Sequence, residues 1–245
     1  MKELLKTADI VRKTLRCKPC GAVIVAAGSA ARMEGIDKVM ADLGGEPLIL
    51  RTARAFQACS LIHEIIVVTR PDLILPIAEL CRELGLDKVR AVVDGGKTRQ
   101  ESVNLGLGCL SRKAKLAAIQ DGARPLVTVE LIERVVRAAN TYGAAAPAIP
   151  VKDTIKIAKG GLVVRTQDRS SLYAVQTPQV FDFDLIRGAL AKAERDGVDG
   201  TDDCAAVERI GMSVKLVDGE ERNFKITTPM DLRLARALWR EEEQS

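Results

Sequence analysis

Residues 23–38 read VIVAAGSAARMEGIDK. Val23, Ile24, Val25 and Ala26 have the small or β-branched character of a buried strand. The strand empties at Ala27-Gly28 into a loop of small side chains that ends at Arg32, with Lys38 beyond. A backbone cleared of side chains lets its N–H groups surround an anion, and two cations so placed can reach the phosphates it holds. The stretch matches neither common phosphate loop. It lacks the GxxxxGK(S/T) pattern, and Ala30 and Met33 stand where GxGxxG needs its second and third glycines. Taken alone, a strand-to-helix turn with solvated charges explains it equally well.

The strand-then-loop pattern recurs along the chain. AVIVAA (22–27), EIIVVT (64–69), VRAVV (89–93), LAAIQ (116–120) and AAAPAIP (144–150) are short apolar runs. Helix-length amphipathic stretches lie between and after them, at 47–58, 71–84, 99–110 and 129–142. Strands that are apolar throughout, each followed by a helix, are buried on both faces. The spacing therefore predicts an α/β fold with a doubly wound, mainly parallel sheet. Such sheets bind ligands at the carboxyl ends of their strands.

The rhythm breaks at Pro150. Two short alternating segments within 151–177 flank Lys159-Gly160-Gly161 and predict a β-hairpin arm over about 151–175. An isolated hairpin is marginally stable, so it must pack on its own domain or embrace a second subunit. Helices are expected at 183–196, at 203–210 and from Pro229, with a strand near 214–217. Residues 1–18 read as a basic amphipathic extension, and 19–245 as a single domain.

Bulk composition removes several functions. A balance of 37 basic against 33 acidic residues gives +4, too mild to argue for nucleic acid. Aromatics at 3% leave no stacking platform for single-stranded bases. No apolar run reaches the roughly 18 residues that span a bilayer, and the amino terminus lacks the apolar core of a signal peptide. No membrane contact and a cytoplasmic location are expected. Cys17 and Cys20 form a lone CxxC, whereas a zinc site needs four ligands and His63 is the one histidine. Scattered reduced thiols are expected instead.

Two further loops follow predicted strands. In DGGKTRQESV (94–103), Gly95-Gly96 permits close backbone approach, and Ser102 sits near a helix start that attracts anions. In DGARP (121–125), Asp121 lies directly at a strand's carboxyl end, where a carboxylate suits a magnesium ion shared with phosphates. Each has an ordinary reading as a turn or cap. Their convergence with the first loop on one sheet edge favours a nucleotide site. Arg169 in TQDRSSLY and Lys225 in NFKITTP add cations beside the hairpin and at a strand end. Thr201-Asp202-Asp203 reads first as a helix cap and second as a ligand contact.

With AAGSAARM, IDK, GGKTRQESV, DGARP, PVKDTIK, QTPQVF, TDDCAAVE and NFKITTPMDL in this order, the chain resembles the 2-C-methyl-D-erythritol 4-phosphate cytidylyltransferase family over residues 21–238. The resemblance implies a Rossmann-like nucleotidyltransferase that joins CTP and a sugar-alcohol phosphate and releases pyrophosphate. It also implies a homodimer whose arm enters the partner's site. Carried over, Ala26, Ala27, Gly28, Gly96 and Ser102 resemble the nucleotide-binding residues, and Arg32 and Lys38 the pair on the triphosphate. Asp121 resembles the residue beside magnesium, with Arg124 its neighbour. Thr154, Arg169, Thr201, Lys225 and Thr227 resemble the acceptor-phosphate group, Arg169 and Lys225 also serving catalysis. The chain departs from the family at Ala30, where glycine is usual, in the short segment between Arg32 and Lys38, and at Val39-Met40, where polar or larger residues are frequent. A ribitol 5-phosphate cytidylyltransferase and a non-catalytic nucleotide-binding module are the alternatives.

Overall fold

The computed structural model describes residues 17–28 and 39–243, so Arg32, Lys38 and residues 1–16 of the expected extension lie outside the described residues. Cys17 and Lys18, the end of that extension, are described and are not helical. In chain order the strands are β1 (Cys20–Val25), β2 (Asp42–Leu43), β3 (Glu46–Pro47), β4 (Ile62–Thr69), β5 (Val89–Asp94) and β6 (Leu116–Asp121). There follow β7 (Ala144–Pro150), β8 (Lys156–Lys159), β9 (Leu162–Thr166), β10 (Tyr173–Val175), β11 (Gln179–Asp182) and β12 (Lys215–Asp218). The described α-helices are α1 (Leu48–Ala58), α2 (Ile74–Glu83), α3 (Arg99–Cys109), α4 (Val129–Tyr142), α5 (Phe183–Arg195), α6 (Asp203–Arg209) and α7 (Pro229–Glu243).

β1 shows why its sequence is apolar without a break. It runs parallel to β4 on one edge and β6 on the other, with Val23 opposite both Ile66 and Ile119. Cys20, Ala22 and Ile24 face one core with Ile49, Ala53 and Phe56 of α1 and Leu131 and Val135 of α4. Val23 faces the opposite core with Val103 and Leu107 of α3 and Ile186 and Leu190 of α5. Both faces are covered, so no position on the strand is left for a polar residue. α3 approaches this second face closely at Gly106, where an added Cβ would collide with Val23 and lie 2.8 Å from Val68 Cγ2.

The central sheet runs β5-β4-β1-β6-β11-β7, and β10 and β12 also pair with β7. β5, β4, β1 and β6 are mutually parallel, and β12 is parallel to β7. β11 is antiparallel to both its neighbours and separates β6 from β7. Sequence reading missed this strand, because its four residues sit between a hairpin and a helix with no turn signal of their own. It also missed β10, which returns the chain to Ala148–Pro150 of β7 in antiparallel register.

The hairpin is present as β8 and β9, shorter than the 151–175 expected. Gly160 and Gly161 have φ of 56° and 81°, the positive values that a two-residue hairpin turn of the mirror-image type requires. Every residue of both strands is exposed. Two bonds extend the pairing towards the sheet, from Gln167 N to Ile155 O and from Val151 N to Leu172 O, each 3.0 Å. A third cluster, including Leu43, Leu48, Leu126, Ile226 and Leu232, fastens the start of α7 beneath the β2–β3 turn. No helix among the described residues is long and apolar enough to cross a membrane.

Candidate active site

The carboxyl ends of β1, β5 and β6 open on a cavity of about 440 Å³. Its described lining includes Ala26, Ala27, Gly28, Gly96, Ser102, Asp121 and Lys225 from the sequence reading, together with Lys97, Thr98 and Arg99. Ala26 N donates to Val68 O at 2.7 Å, Gly95 N to Thr69 O at 2.8 Å and Gly122 N to Val25 O at 2.8 Å. These bonds tie each loop to the end of a neighbouring strand, so the three loops form one floor.

Gly95 and Gly96 are required by close packing rather than by backbone conformation. A Cβ on Gly95 would collide with Ala27 Cβ, and one on Gly96 would collide with Glu101. Thr98 caps α3 by accepting from Glu101 N at 3.1 Å, and Glu101 Oε2 accepts from Lys97 N at 2.6 Å. Ser102 is 2% exposed. Its hydroxyl accepts from Gly96 N at 3.0 Å and donates to Thr98 O at 2.9 Å. Ser102 thus shapes the loop and retains one acceptor lone pair for another donor.

Asp121, 7% exposed, is the focus of the site's charge. Its Oδ1 lies 3.5 Å from Arg99 Nε, and its Oδ2 lies 3.4 Å from Arg124 Nε and 3.0 Å from Lys225 Nζ. Its backbone N–H donates to Thr177 Oγ1 at 3.1 Å. Burial pushes the Asp121 carboxyl up, but Lys225, Arg99 and Arg124 together outweigh it and hold the group below the usual carboxylate range. Ile226, fully buried, fixes the segment carrying Lys225 by donating its N–H to Ala123 O at 2.9 Å. Arg124 Nη1 donates to Asn223 O at 2.6 Å, which anchors the second cation to the same segment.

A second carboxylate stands behind the first. Asp203, 1% exposed, accepts from Arg99 Nη2 at 2.7 Å. Burial raises the Asp203 carboxyl above its ordinary range, against the pull of Arg99. Burial also depresses Arg99, but Asp203 and Asp121 prevail and strengthen its hold on the proton. Gln179 Oε1 accepts from Asp203 N and Cys204 N at 3.0 Å each, while its Nε2 donates to Asp202 Oδ2 at 2.7 Å. Asp202, not Thr201, caps α6, accepting from Ala205 N at 3.0 Å.

The remaining expected residues lie off this lining. Thr154 and Arg169 are exposed at the root of the hairpin, where Arg169 Nη1 donates to Lys152 O at 3.0 Å. Thr201 is exposed. Thr227 donates its hydroxyl to Asp231 Oδ2 at 2.9 Å, a bond from the segment before α7 to the helix's first turn. Arg124 reaches the site through Asp121. Arg99 was missed, although it lies in the quoted GGKTRQESV between Gly96 and Ser102. The first position of a helix beginning at a strand's carboxyl end was the available signal. Cys20 is buried in β1, and burial lifts its thiol far above the usual range.

A glycine-floored cavity with surplus positive charge, at the carboxyl edge of a largely parallel sheet, suits a nucleoside polyphosphate. The class so defined is nucleotidyltransferase. The family model described as IspD: 2-C-methyl-D-erythritol 4-phosphate cytidylyltransferase matches residues 20–241. The protein of that name from Geobacillus kaustophilus is 46% identical over 218 residues, covering 89% of this chain and 95% of its own. That from Caldanaerobacter subterraneus subsp. tengcongensis is 45% identical over 226 residues, covering 89% and 98%. The crystal structure of 4-diphosphocytidyl-2C-methyl-D-erythritol synthase from Anaerococcus prevotii superposes with a TM-score of 0.82 at 32% identity, covering 91% of this chain and 96% of that one. That of the Thermus thermophilus cytidylyltransferase gives 0.74 at 37%, covering 89% and 98%. The chain belongs to the 2-C-methyl-D-erythritol 4-phosphate cytidylyltransferase family.

Proposed function

We propose that this chain transfers the cytidylyl group of CTP to 2-C-methyl-D-erythritol 4-phosphate, forming 4-diphosphocytidyl-2-C-methyl-D-erythritol and pyrophosphate. The observation that carries the reading is the gathering of Arg99, Arg124 and Lys225 on Asp121 beside a floor cleared of side chains. The acceptor's phosphate monoester has a second pKa of about 6 and is largely dianionic at neutral pH, so it attacks without a general base. The barrier is the approach of one polyanion to the α-phosphate of another, a matter of charge and alignment. His63 is exposed at the second residue of β4. It sits about 20 Å from the carboxyl end of that strand, so imidazole acid–base chemistry has no place here.

The chain's own residues supply the rest. Ala26, Ala27, Gly28 and Gly96 leave room for the nucleotide, and the spare lone pair of Ser102 suits the amino group of cytosine. Arg32 and Lys38 act on the triphosphate. Lys225 is 37% exposed at its side chain, so it can leave Asp121 for an incoming phosphate. Thr154 and Arg169, with Thr201 and Lys225, and with Thr227 once its hydroxyl leaves Asp231, receive the acceptor phosphate, the first two from a partner subunit's hairpin in a homodimer. The reaction proceeds in the cytoplasm.

Asp121 offers magnesium a single carboxylate, with its Oδ2 already shared by Arg124 and Lys225. Oδ1 has one cationic neighbour at a long 3.5 Å, and the ion takes one or two carboxylates with substrate phosphates completing its shell. Asp121 would hold it, and the bound ion would neutralise charge on the triphosphate. The test is pyrophosphate release from CTP and magnesium on adding 2-C-methyl-D-erythritol 4-phosphate, abolished by chelator. Release with ribitol 5-phosphate alone would overturn the acceptor. No release with any acceptor, despite CTP binding, would favour a non-catalytic module.

A further inference from the structure

We propose that Asp203 is a positioning residue of the nucleotide site, pinning the Arg99 guanidinium to the cavity wall where it meets the phosphates of the bound nucleotide. The inference rests on the cytidylyltransferase reading of the cavity. Asp203 itself does not line the cavity, whereas Arg99 does. The two residues are 104 positions apart in the chain, yet Arg99 Nη2 and Asp203 Oδ2 meet at 2.7 Å. The same guanidinium turns Nε towards Asp121 Oδ1, at the longer distance of 3.5 Å. Arg99 is therefore shared between two carboxylates and held more tightly by the one away from the substrate.

A buried carboxylate costs several kcal/mol to desolvate unless it is paired, so Asp203 needs a reason for its place. Its surroundings are built to hold it still. Gln179 of β11 grips the backbone N–H groups of Asp203 and Cys204 and the side chain of Asp202. An arginine on a long flexible stem would otherwise be ordered only when substrate arrived. Fixing it beforehand removes that entropy loss from binding and leaves its charge aimed where phosphate will lie. Without Asp203 the guanidinium would be drawn wholly to Asp121, closing the long contact and neutralising the carboxylate proposed for magnesium.

The experiment is CTP binding by calorimetry in magnesium buffer, alongside steady-state kinetics and thermal unfolding. Asp203→Asn keeps the shape but loses the charge, and it should raise the Kd for CTP about tenfold. The KM for the acceptor should stay within about twofold, because a general loosening would move both substrates. Arg99→Lys keeps the charge but cannot reach both carboxylates at once, and it should weaken CTP similarly. This second variant decides the matter should Asp203→Asn fail to fold. In an Arg99→Ala background, adding Asp203→Asn should cause no further loss of CTP affinity, since Asp203 acts through Arg99. Wild-type CTP affinity in a folded Asp203→Asn protein or in Arg99→Lys, or losses that simply multiply in the double variant, would overturn the proposal. A wild-type protein that does not bind CTP would take the reading of the cavity down with it.

Discussion

Gly95→Ala tests whether the first and second loops must touch for the site to exist. Gly95 closes the end of β5 by donating to Thr69 O at 2.8 Å. An added Cβ would collide with Ala27 Cβ and stand 3.0 Å from Ser102 Oγ. Carbon atoms rest about 3.5–4.0 Å apart, so the loops must part by about 1–2 Å. Overpacking of this kind costs about 1–3 kcal/mol. In a chain of this size each kcal/mol lowers Tm by about 2–4 °C, so a fall of roughly 2–12 °C is expected. The loss of activity should be larger in proportion. A displacement of about 1 Å in a positioning loop costs about 10²-fold, and kcat/KM for CTP should fall on that scale. The assays are thermal unfolding by circular dichroism and coupled pyrophosphate release. Gly188→Ala provides the control: this glycine is exposed within α5 with nothing within 4 Å of an added Cβ, and alanine there should stabilise by about 0.5–1 kcal/mol. A Gly95→Ala protein with wild-type Tm and turnover would refute the idea that the two loops form one surface.

Mixing folded Arg169→Ala and Lys38→Ala proteins, each nearly inactive, should restore activity towards about a quarter of wild type if Arg169 acts on the partner's site. A heterodimer confirmed by mass with no recovered activity would place Arg169 in its own subunit's site. Val164→Lys on β9, where the residue is 62% exposed, should shift the protein towards monomer in sedimentation velocity, and an unchanged sedimentation coefficient would remove the hairpin from the dimer contact. Asp121 has its carboxyl held low in the folded state. Its stabilising contribution is therefore present above the unfolded value of about 3.9 and is lost as pH falls through the depressed folded value. Urea unfolding should show Asp121→Asn trailing wild type most at neutral pH and converging on it below about pH 4. A gap that widens with acid would reverse the assigned direction.

The strands that form the site were legible because each is covered on both faces and so reads apolar throughout. The helix expected at 129–142 is observed as Val129–Tyr142, where Thr128 supplies a cap and Gly143, at φ 83°, a stop. β11 was illegible because its antiparallel place between β6 and β7 is fixed by tertiary pairing, not by local pattern. Asp121 could be singled out from its place at a strand end. The partner that holds Arg99 could not, since nothing within DGGKTRQESV points to an aspartate a hundred residues later. Nothing local hinted that Thr227 spends its hydroxyl on Asp231 or that Ser102 commits its proton and one lone pair to its own loop.

Lys225 joins Asp121 from the far end of the chain, and that has a consequence for synthesis on the ribosome. β1, β4, β5 and β6 are complete once residue 121 has emerged, so a parallel half-sheet can begin to assemble early. At that stage Asp121 has Arg99 as a neighbour, but Arg124, Asp203 and Lys225 are still to come. The charge centre is finished only when the segment around Ile226 docks against Ala123. A nascent or truncated product ending before that segment should therefore have a partly formed sheet and no working centre, rather than a weakened one.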